Sequence, residues 1–529
     1  MSIAVRSGLA GAALLILAAC GGGGGGDGGG GRGGPLNPGG GTFTPGVFPP
    51  RTDFDAQCIS PRPGTSDTAG SAFTEKMFLR SWTNELYLWY NEVPDPNPNN
   101  SATVEDYFFD VLVTPQTTPS STPKDRFHFT FDTAEWIALS QGGQSFGYGA
   151  ELMILDFDPP RRAVVAYVEP GTPAASAGVT RGMEVVSVNG VSFVNDQTDA
   201  GVAVLNSAFF PSSAGQTFTF VMDPVTGPNV SVQLTTATIT HQPVLLDATI
   251  PQDDETVGYL LFNDHIATAE DQLFDAITRL QGVDDLILDI RYNGGGFLDI
   301  ASELAFMIAG PAPTTGQVFE RLVFNNKNPT RDPITGELLA SGTSFHSTTQ
   351  DFGSRTPGTA LPTLNLPRVY VITGPNTCSA SESIINSLRG VNVQVFQIGS
   401  TTCGKPFGFY PQDNCGTTYF SIQFQGLNAM SFGDYPDGFA PQNQSGPNSV
   451  ELGGCSIPDD FTKELGDPLE GRLKAALDFR ASNNNIATCP TFVFEPTSAQ
   501  LKPGQMPLSA ADGKIYKSPF RENRILRVP

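Results

Sequence analysis

Residues 368–405 constrain the fold more than any other part of the chain. A β-branched and aromatic run at 369–372 predicts a buried strand, and a similar run at 393–398 predicts a second one. Between them Ser379 precedes Glu382 by three positions, ahead of apolar residues at helical spacing, which indicates a capped helix start. Strand, helix and strand in this order form a right-handed crossover within a parallel sheet. The chain is therefore expected to contain an α/β core.

The same crossover predicts where two reactive side chains meet. Ser379 follows the first strand and Lys405 follows the second, and parallel strands end at the same edge of their sheet. A lysine whose pKa is lowered by burial can take the proton of a serine hydroxyl, and a helix N-terminus favours the negative charge that develops. The simpler interpretation is that Ser379 only caps the helix and Lys405 is a surface lysine.

The N-terminal residues resemble a bacterial lipoprotein signal. Arg6 provides a positive charge, residues 9–17 form an apolar stretch too short to span a bilayer, and Leu-Ala-Ala-Cys ends at Cys20. The resemblance implies that Cys20 carries lipid and anchors the protein to a membrane of the cell envelope, at the outer membrane or facing the periplasm. Residues 21–41 are mostly glycine and predict a flexible tether.

Charge and cysteine content narrow the functional classes. The formal net charge of −23, dispersed along the chain, argues against a nucleic-acid partner. Six cysteines remain besides Cys20, and an even number in an exported chain suggests disulfides. The plausible pairs are Cys403–Cys415 and Cys455–Cys489, although other pairings are open. Neither a C-x-x-C pair nor a histidine cluster occurs, so no metal site and no cofactor are expected.

Changes in composition and hydrophobic periodicity divide the chain into six segments. Glycine and proline dominate before residue 71, helical spacing follows, and short strand patterns with tight turns begin near residue 143. The predicted segments are a signal peptide (1–20), a linker (21–70), a helical region (71–142), a small strand-rich domain (143–237), a sheet-based core (238–487) and an unassigned tail (488–529).

The small domain at 143–237 resembles a PDZ domain of the bacterial protease type. The resemblance rests on the run EPGTPAASAGVTRGMEVVSVNGV and on strand patterns before and after it. It implies that backbone N–H groups of the loop Gly147, Tyr148 and Gly149 hold the terminal carboxylate of a peptide, which adds to the sheet as an extra strand.

A glycine turn at 291–296 is expected at the same sheet edge as Ser379. A buried strand at 286–290 precedes Arg-Tyr-Asn-Gly-Gly-Gly, and a helix at 297–308 follows. Glycines let backbone N–H groups approach a ligand closely, as an oxyanion hole requires. A plain turn between strand and helix would explain one glycine more easily than three.

Two other motifs match catalytic patterns in the wrong context. Gly-Gln-Ser-Phe-Gly around Ser145 fits G-x-S-x-G, yet a helical pattern precedes it and a strand follows, the reverse of a nucleophile elbow. Residues 399–405 match most of a phosphate-binding loop, but Pro406 stands where that loop needs a hydroxyl. We therefore expect neither motif to carry the chemistry of its pattern.

The remaining motifs together resemble the carboxyl-terminal processing (tail-specific) serine peptidases. LILDIRYNGGG, TCSASE, GSTTCGK and DGFAP are each similar to a stretch of that family. The resemblance implies a mixed α/β, sheet-based Ser/Lys protease core with crossover helices, preceded by a PDZ domain and a small helical region. It implies these roles: Ser379 as nucleophile, Lys405 as general base, and Ala380 with Gly295 and Gly296 as oxyanion-hole donors.

Some positions depart from that family or have a second explanation. Glu382 matches a supporting position in some members, and helix capping explains it equally well. Phe409 stands where many members carry a glutamine that orients the lysine. Gly294 replaces a usual proline, and Cys378 a usual alanine.

The sequence thus predicts a serine endopeptidase that cleaves exported proteins or peptides near their free C-termini through an acyl-enzyme. Two alternatives stay open. One is a catalytically weak, PDZ-type peptide-binding lipoprotein that keeps the core as a scaffold. The other is a nucleophilic Cys378, which precedes the helix start and has no histidine near it in sequence.

Overall fold

The computed structural model describes residues 42–156, 158–444, 446 and 448–490, and the backbone of 523–525. The predicted signal peptide, the predicted lipidation site at Cys20 and most of the predicted tail lie outside these residues. Within the described residues, no helix is both long enough and apolar enough to cross a bilayer.

The first described region combines helices with short strands. Its elements are β1 (Gln57–Cys58), β2 (Thr68–Ala69), α1 (Ala72–Leu86), α2 (Val104–Asp110), β3 (Phe129–Asp132) and α3 (Thr133–Gly142). Ser71 and Thr74 cap α1 reciprocally, each hydroxyl accepting the backbone N–H of the other residue. Helical spacing does not predict β3, which forms because it pairs with a strand almost 300 residues later in the chain, Thr417–Phe420.

A small sheet domain follows, with its own apolar core. Its elements are β4 (Gln144–Gly147), β5 (Ala150–Asp156), β6 (Arg162–Val168), α4 (Pro173–Ser176), β7 (Glu184–Val188), β8 (Val191–Ser192), α5 (Asp199–Phe209), β9 (Thr217–Asp223), β10 (Val230–Thr235) and β11 (Ala237–Thr240). The six-stranded sheet has the order β10-β9-β7-β6-β5, with β8 on β7. β4 and β11 pair with each other, so the chain enters and leaves the domain side by side.

The rest of the described chain builds the core. Its first half comprises β12 (Val244–Gln252), β13 (Glu255–Phe262), α6 (Ala269–Arg279), β14 (Asp285–Asp289), β15 (Gly295–Phe297), α7 (Leu298–Ala309), α8 (Pro311–Thr314), β16 (Val318–Phe324) and β17 (Thr343–Ser344). Its second half comprises β18 (Arg368–Thr373), α9 (Ala380–Gly390), β19 (Gln394–Gly399), β20 (Phe407–Gly408), β21 (Gln412–Asn414), β22 (Thr417–Phe420), β23 (Phe424–Leu427), β24 (Phe439–Pro441), β25 (Val450–Leu452) and α10 (Gly471–Ala481). The final described element is β26 (Asn523–Ile525).

A five-stranded sheet with the order β12-β13-β14-β18-β19 organises the core. β12 runs antiparallel to β13, and the other neighbours are parallel. Helices α6 and α9 connect parallel neighbours as crossovers. The predicted mixed α/β fold with crossover helices is therefore confirmed. The carboxyl ends of β14, β18 and β19 lead to the glycine turn, to Ser379 and to Lys405.

Successive residues of the central strands pack against opposite layers. Leu288 joins the apolar cluster of α6, α7 and α9, where Leu304 is also fully buried. Its neighbour Ile287 joins Tyr370 and Leu473 in the cluster under α10. Each fully buried aliphatic side chain contributes about 1.5–3 kcal/mol to folding. Helices on both faces explain why these strands are continuously apolar rather than alternating.

The described residues contain three disulfides, Cys58–Cys415, Cys378–Cys403 and Cys455–Cys489. The predicted Cys455–Cys489 bond is confirmed, and the predicted Cys403–Cys415 bond is wrong. Cys415 lies in the turn between β21 and β22, which is next to the N-terminal β1. The loop after β19 instead returns to the start of α9, where the Cα atoms of Cys378 and Cys403 are 5.1 Å apart.

A buried cluster of ion pairs holds Arg291, the residue that begins the glycine turn. Its fully buried guanidinium contacts Asp289 on β14 at 2.8 Å, Glu470 at 2.8 Å and Asp459 at 2.9 Å. Glu470 also caps α10 by accepting the Leu473 N–H. The cluster therefore joins α10 to the sheet edge at which the glycine turn begins.

We expect the substitution Arg291→Met to lower the free energy of unfolding by about 3–5 kcal/mol, because it leaves buried carboxylates without their counter-charge. Arg279→Met is the matched control, since Arg279 pairs with Asp247 on the surface with 57% of its side chain exposed. That exposed pair is expected to contribute about 0–1 kcal/mol. Urea unfolding measures both values, and equal losses would contradict the role assigned to the cluster.

Candidate active site

Ser379 has a strained backbone at the edge of the central sheet. It lies between β18 and α9, with φ of 61° and ψ of −112°. Residues other than glycine rarely adopt positive φ, and such strain costs about 1–3 kcal/mol, so it persists only where surrounding contacts enforce it. Nucleophilic serines on strand-to-helix turns are held in strained turns of this kind. The sequence predicts the turn and the helix, but not the strain.

The Ser379 hydroxyl is buried at the start of α9. The side chain is fully buried, and its Oγ has no hydrogen-bond partner among the described residues. It lies at the N-terminus of α9, where the helix dipole and the first N–H groups favour negative charge. A buried hydroxyl without a partner is costly for folding, and such groups concentrate at sites of chemistry.

Glu382 accepts hydrogen bonds from the backbone of both Ser379 and Lys405. Its fully buried Oε2 accepts the Ser379 N–H at 2.9 Å and the Lys405 N–H at 2.8 Å. Its Oε1 accepts the Gly404 N–H at 2.8 Å and the Thr402 hydroxyl at 2.5 Å. Burial raises the pKa of Glu382, and these four donors act against that rise. The residue therefore does more than cap α9, because it fixes the distance between two separate loops.

The loop at 399–405, which matches most of a phosphate-binding loop in sequence, binds this carboxylate. Successive backbone N–H groups in a glycine-containing loop form a concave site for anions. Here the bound anionic group is the side chain of Glu382, held by Gly404, Lys405 and Thr402. The Glu382 carboxylate therefore occupies the backbone donors of Gly404 and Lys405.

The Cys378–Cys403 disulfide adds a covalent connection between the same two segments. Cys378 directly precedes Ser379, and Cys403 lies two residues before Lys405. With its sulfur in this bond, Cys378 presents no thiolate, and the alternative of a cysteine nucleophile is not supported. The two sulfurs and the Glu382 carboxylate lie close enough to share a metal ion, but disulfide sulfurs are not available as thiolate ligands.

Two aromatic rings lie close to the Lys405 amine. Lys405 is fully buried, and its Nζ lies 4.7 Å from the centroid of the Phe127 ring and 4.5 Å from that of Phe409. The ring of Phe409 thus stands at the position where many members of the family that the sequence resembles carry a glutamine that orients the lysine. Next to Phe127, the Arg126 guanidinium donates to the carbonyl of Cys403. The N-terminal region therefore closes one side of the site.

The glycine turn lies directly against the start of α9. The Asn293 carbonyl accepts the Cys378 N–H at 3.2 Å and the Ser381 hydroxyl at 3.0 Å. The Asn293 side-chain oxygen accepts the Gly295 N–H at 3.0 Å, so this predicted oxyanion donor is engaged within the turn. Gly296 has φ of 137°, and a β-carbon there would lie 2.5 Å from the carbonyl oxygen of His265. Only glycine fits at Gly296.

His265 belongs to this site and was missed by the sequence analysis. It is fully buried, and its Nδ1 donates to the Asn293 side-chain oxygen at 2.9 Å. Burial lowers the pKa of His265 to about 3, which keeps the imidazole neutral near pH 7. Its Nε2 has no hydrogen-bond partner among the described residues. No local pattern marks the residue, because it reaches Asn293 from a loop 28 positions earlier.

The loop predicted to hold a peptide carboxylate lies between β4 and β5. Tyr148 is buried in the small domain, and its hydroxyl donates to the Ala208 carbonyl at 2.9 Å. Gly149 has φ of 76°, and a β-carbon there would lie 2.3 Å from the side chain of Thr172. Gly147 ends β4, and β5 is an edge strand of its sheet. The loop is therefore firmly packed and lies beside a strand edge.

Ser145, in the G-x-S-x-G match, makes a hydrogen-bonded chain of its own. Its Oγ lies 2.7 Å from Nε2 of His241, whose Nδ1 lies 2.7 Å from the Glu169 carboxylate. Burial lowers the pKa of His241, but Glu169 outweighs burial and raises it overall. Ser145 lies within β4, paired in regular register with Ile239, rather than on a strained turn before a helix. We interpret these bonds as fastening the two connecting strands to the small domain.

Comparison with known families supports the assignment of the core. A model described as peptidase family S41 matches residues 256–409, and a model of the peptidase S41 N-terminal domain matches residues 75–130. The first match contains the glycine turn, Ser379 and Lys405. The second covers the region that supplies Phe127 and Arg126.

Curated relatives and a solved structure agree with these matches. The chain is 27% identical over 208 residues to a carboxyl-terminal-processing protease of Picosynechococcus sp., covering 38% of this chain and 48% of that one. It is 28% identical over 209 residues to a chloroplastic C-terminal processing peptidase of Tetradesmus obliquus, covering 35% and 42%. The matches thus span about half the length of these relatives or less. An S41 protease structure from Bacteroides fragilis shares the fold, with a TM-score of 0.53 and 23% identity over 80% of this chain and 100% of that chain.

We expect Glu382→Gln to destabilise the site, because an amide NH₂ would replace one acceptor oxygen and face two donors. Two unpaired buried donors cost about 2–6 kcal/mol in total. Hydrogen exchange at the Gly404 and Lys405 amides should become faster, and the melting temperature should fall.

Glu303→Gln on α7 is the matched control. Burial raises the pKa of Glu303 to about 10, so its side chain is already neutral at pH 7 and an amide replaces it conservatively. If Glu382→Gln were no more damaging than this control, the carboxylate would not be holding the two loops together.

Proposed function

The chain belongs to peptidase family S41, and we propose that it is a serine endopeptidase that cleaves exported proteins near their C-termini through an acyl-enzyme on Ser379. The observation that carries the proposal is the strained, buried Ser379, which a single carboxylate and a disulfide hold at a fixed position relative to Lys405. A serine that only caps a helix does not require a strained backbone that is held by both a buried carboxylate and a disulfide.

In the proposed reaction, the Ser379 Oγ attacks the carbonyl carbon of the scissile peptide while Lys405 takes the hydroxyl proton. A lysine accepts a proton only as a neutral amine. The same amine then returns the proton to the leaving amino group, and water later hydrolyses the ester. The backbone N–H groups of Ala380 and Gly296 are the proposed donors to the oxyanion.

We propose that the small domain selects the substrate through its C-terminus. PDZ-type recognition adds a peptide to a sheet edge, and β5 provides such an edge beside the 147–149 loop. The curated relatives carry the names of C-terminal processing peptidases, which fits a substrate with a free C-terminus. Lipid anchoring at Cys20 and a cell-envelope location remain predictions from the sequence.

We expect Ser379→Ala and Lys405→Arg each to lower kcat by a factor of about 10³ or more on an unfolded protein with an apolar C-terminus. Lys405→Arg keeps the positive charge but cannot give up its proton, so it separates a base from a merely charged group. Ser145→Ala is the matched serine control and should retain activity. Activity that depends on Ser145 rather than Ser379 would refute the assignment, and tight peptide binding without turnover would favour the peptide-binding alternative.

We also expect the Cys378→Ser/Cys403→Ser double variant to lose activity more than stability. Misplacement of a catalytic group by about 1 Å can cost a factor of about 100 in rate, whereas the loop closed by this disulfide is short. Cys58→Ser/Cys415→Ser is the matched control, because it removes a disulfide that joins β1 to the turn between β21 and β22 rather than the segments of Ser379 and Lys405. Turnover and melting temperature are measured for both, and equal kcat in the two variants would contradict the positioning role.

A further inference from the structure

The last described segment of the chain pairs with the glycine turn. β26 runs parallel to β15, with Asn523 opposite Gly295, Arg524 opposite Gly296 and Ile525 opposite Phe297. β15 is also held from its other side, because the Phe297 N–H donates to the His265 carbonyl at 2.8 Å. The segment from the predicted tail thus adds a strand to the proposed oxyanion turn.

This added strand lies between the elements that carry the proposed catalytic residues. Besides β15, it contacts α9, which begins immediately after Ser379. It also contacts β20, which begins two residues after Lys405. Under the proposed function, a peptide substrate that brings its carbonyl group to Ser379 would lie at the start of α9 and beside the glycine turn of β15.

The burial of the site provides a second observation. The side chains of Ser379 and Lys405 are both fully buried in the folded chain. A peptidase that acts on other proteins has to admit an extended peptide to its nucleophile, so something must leave before substrate enters. β26 is the described element that contacts the glycine turn, α9 and β20 together, without belonging to the sheet that builds the site.

The sequence around this segment is basic. Residues 519–529 contain three arginines, Arg521, Arg524 and Arg527, and one acidic residue, Glu522. The chain as a whole carries a formal net charge of −23. Strand addition requires only the backbone of the segment.

We propose that residues 523–525 occupy the substrate-binding strand position of the site and compete there, within the same molecule, with peptide substrates. The expected effect on KM rests on the proposed peptidase function. The occupancy of a peptide-binding strand position does not depend on that function. Tethering gives the segment an effective concentration in the millimolar range. If its intrinsic Kd is about 100 μM, the need to displace the bound segment raises the apparent KM for substrate about tenfold.

The test uses the full chain with proline at two paired positions, Arg524→Pro and Ile525→Pro. Proline removes the N–H that a strand ladder needs and restricts the backbone. We expect KM to fall about tenfold while kcat stays unchanged, the signature of a lost competitor. Ala511→Pro, which lies outside the paired residues, is the matched control and should leave KM as in the unmodified chain. An unchanged KM in the 524/525 variant would overturn the proposal.

A binding measurement keeps this test separate from the question of catalysis. A fluorescein-labelled peptide with the sequence of residues 519–529 is titrated, by fluorescence anisotropy, against the unmodified chain and the 524/525 variant, each also carrying Ser379→Ala. We expect the variant to bind the peptide about tenfold more tightly, because its site is vacant. Equal affinities would overturn the proposal. If the proteins lack peptidase activity but this difference appears, the proposed function fails and the occupancy stands.

Discussion

The carboxylate of Glu382 is the interaction on which the geometry of the site depends. It is fully buried, and it accepts hydrogen bonds from the backbone of Ser379 and of Lys405 at once. These residues lie on loops that follow different strands, and a parallel sheet alone brings such loops only to the same edge. Because both loops donate to the same carboxylate, the distance between them is fixed. Without it, two buried glycine-containing loops would have unpaired N–H groups.

The same clamp explains how the strain at Ser379 persists. A positive φ at a serine costs stability, and the Glu382 bond on one side and the Cys378–Cys403 bond on the other hold the residue in place. The same contacts offset the cost of burying the hydroxyl without a hydrogen-bond partner. Stability gained in the surrounding structure thus maintains a hydroxyl that has no hydrogen-bond partner among the described residues.

A second network joins the small domain to the site. Arg181 of the small domain donates to the Tyr292 hydroxyl at 2.6 Å and pairs with Asp459 at 2.7 Å. Tyr292 also donates to Asp459 at 2.6 Å, and Asp459 pairs with Arg291. Arg291 and Tyr292 directly precede the asparagine and glycines of the turn. Any displacement of the small domain would therefore break contacts to the residues that set the position of this turn.

The sequence by itself determined the local elements and their order. Apolar runs, the S-x-x-E start of α9 and the three glycines after β14 are short-range patterns, and each forms the predicted structure because its cause lies within a few residues. The right-handed crossover rule then placed Ser379 and Lys405 at one edge. Only the tertiary structure decided that Glu382 bridges the two loops, that Phe127 lies over Lys405, and that Cys403 bonds to Cys378 rather than Cys415. These contacts join residues up to 278 positions apart, and chain periodicity carries no information about which distant side chain fills a given space.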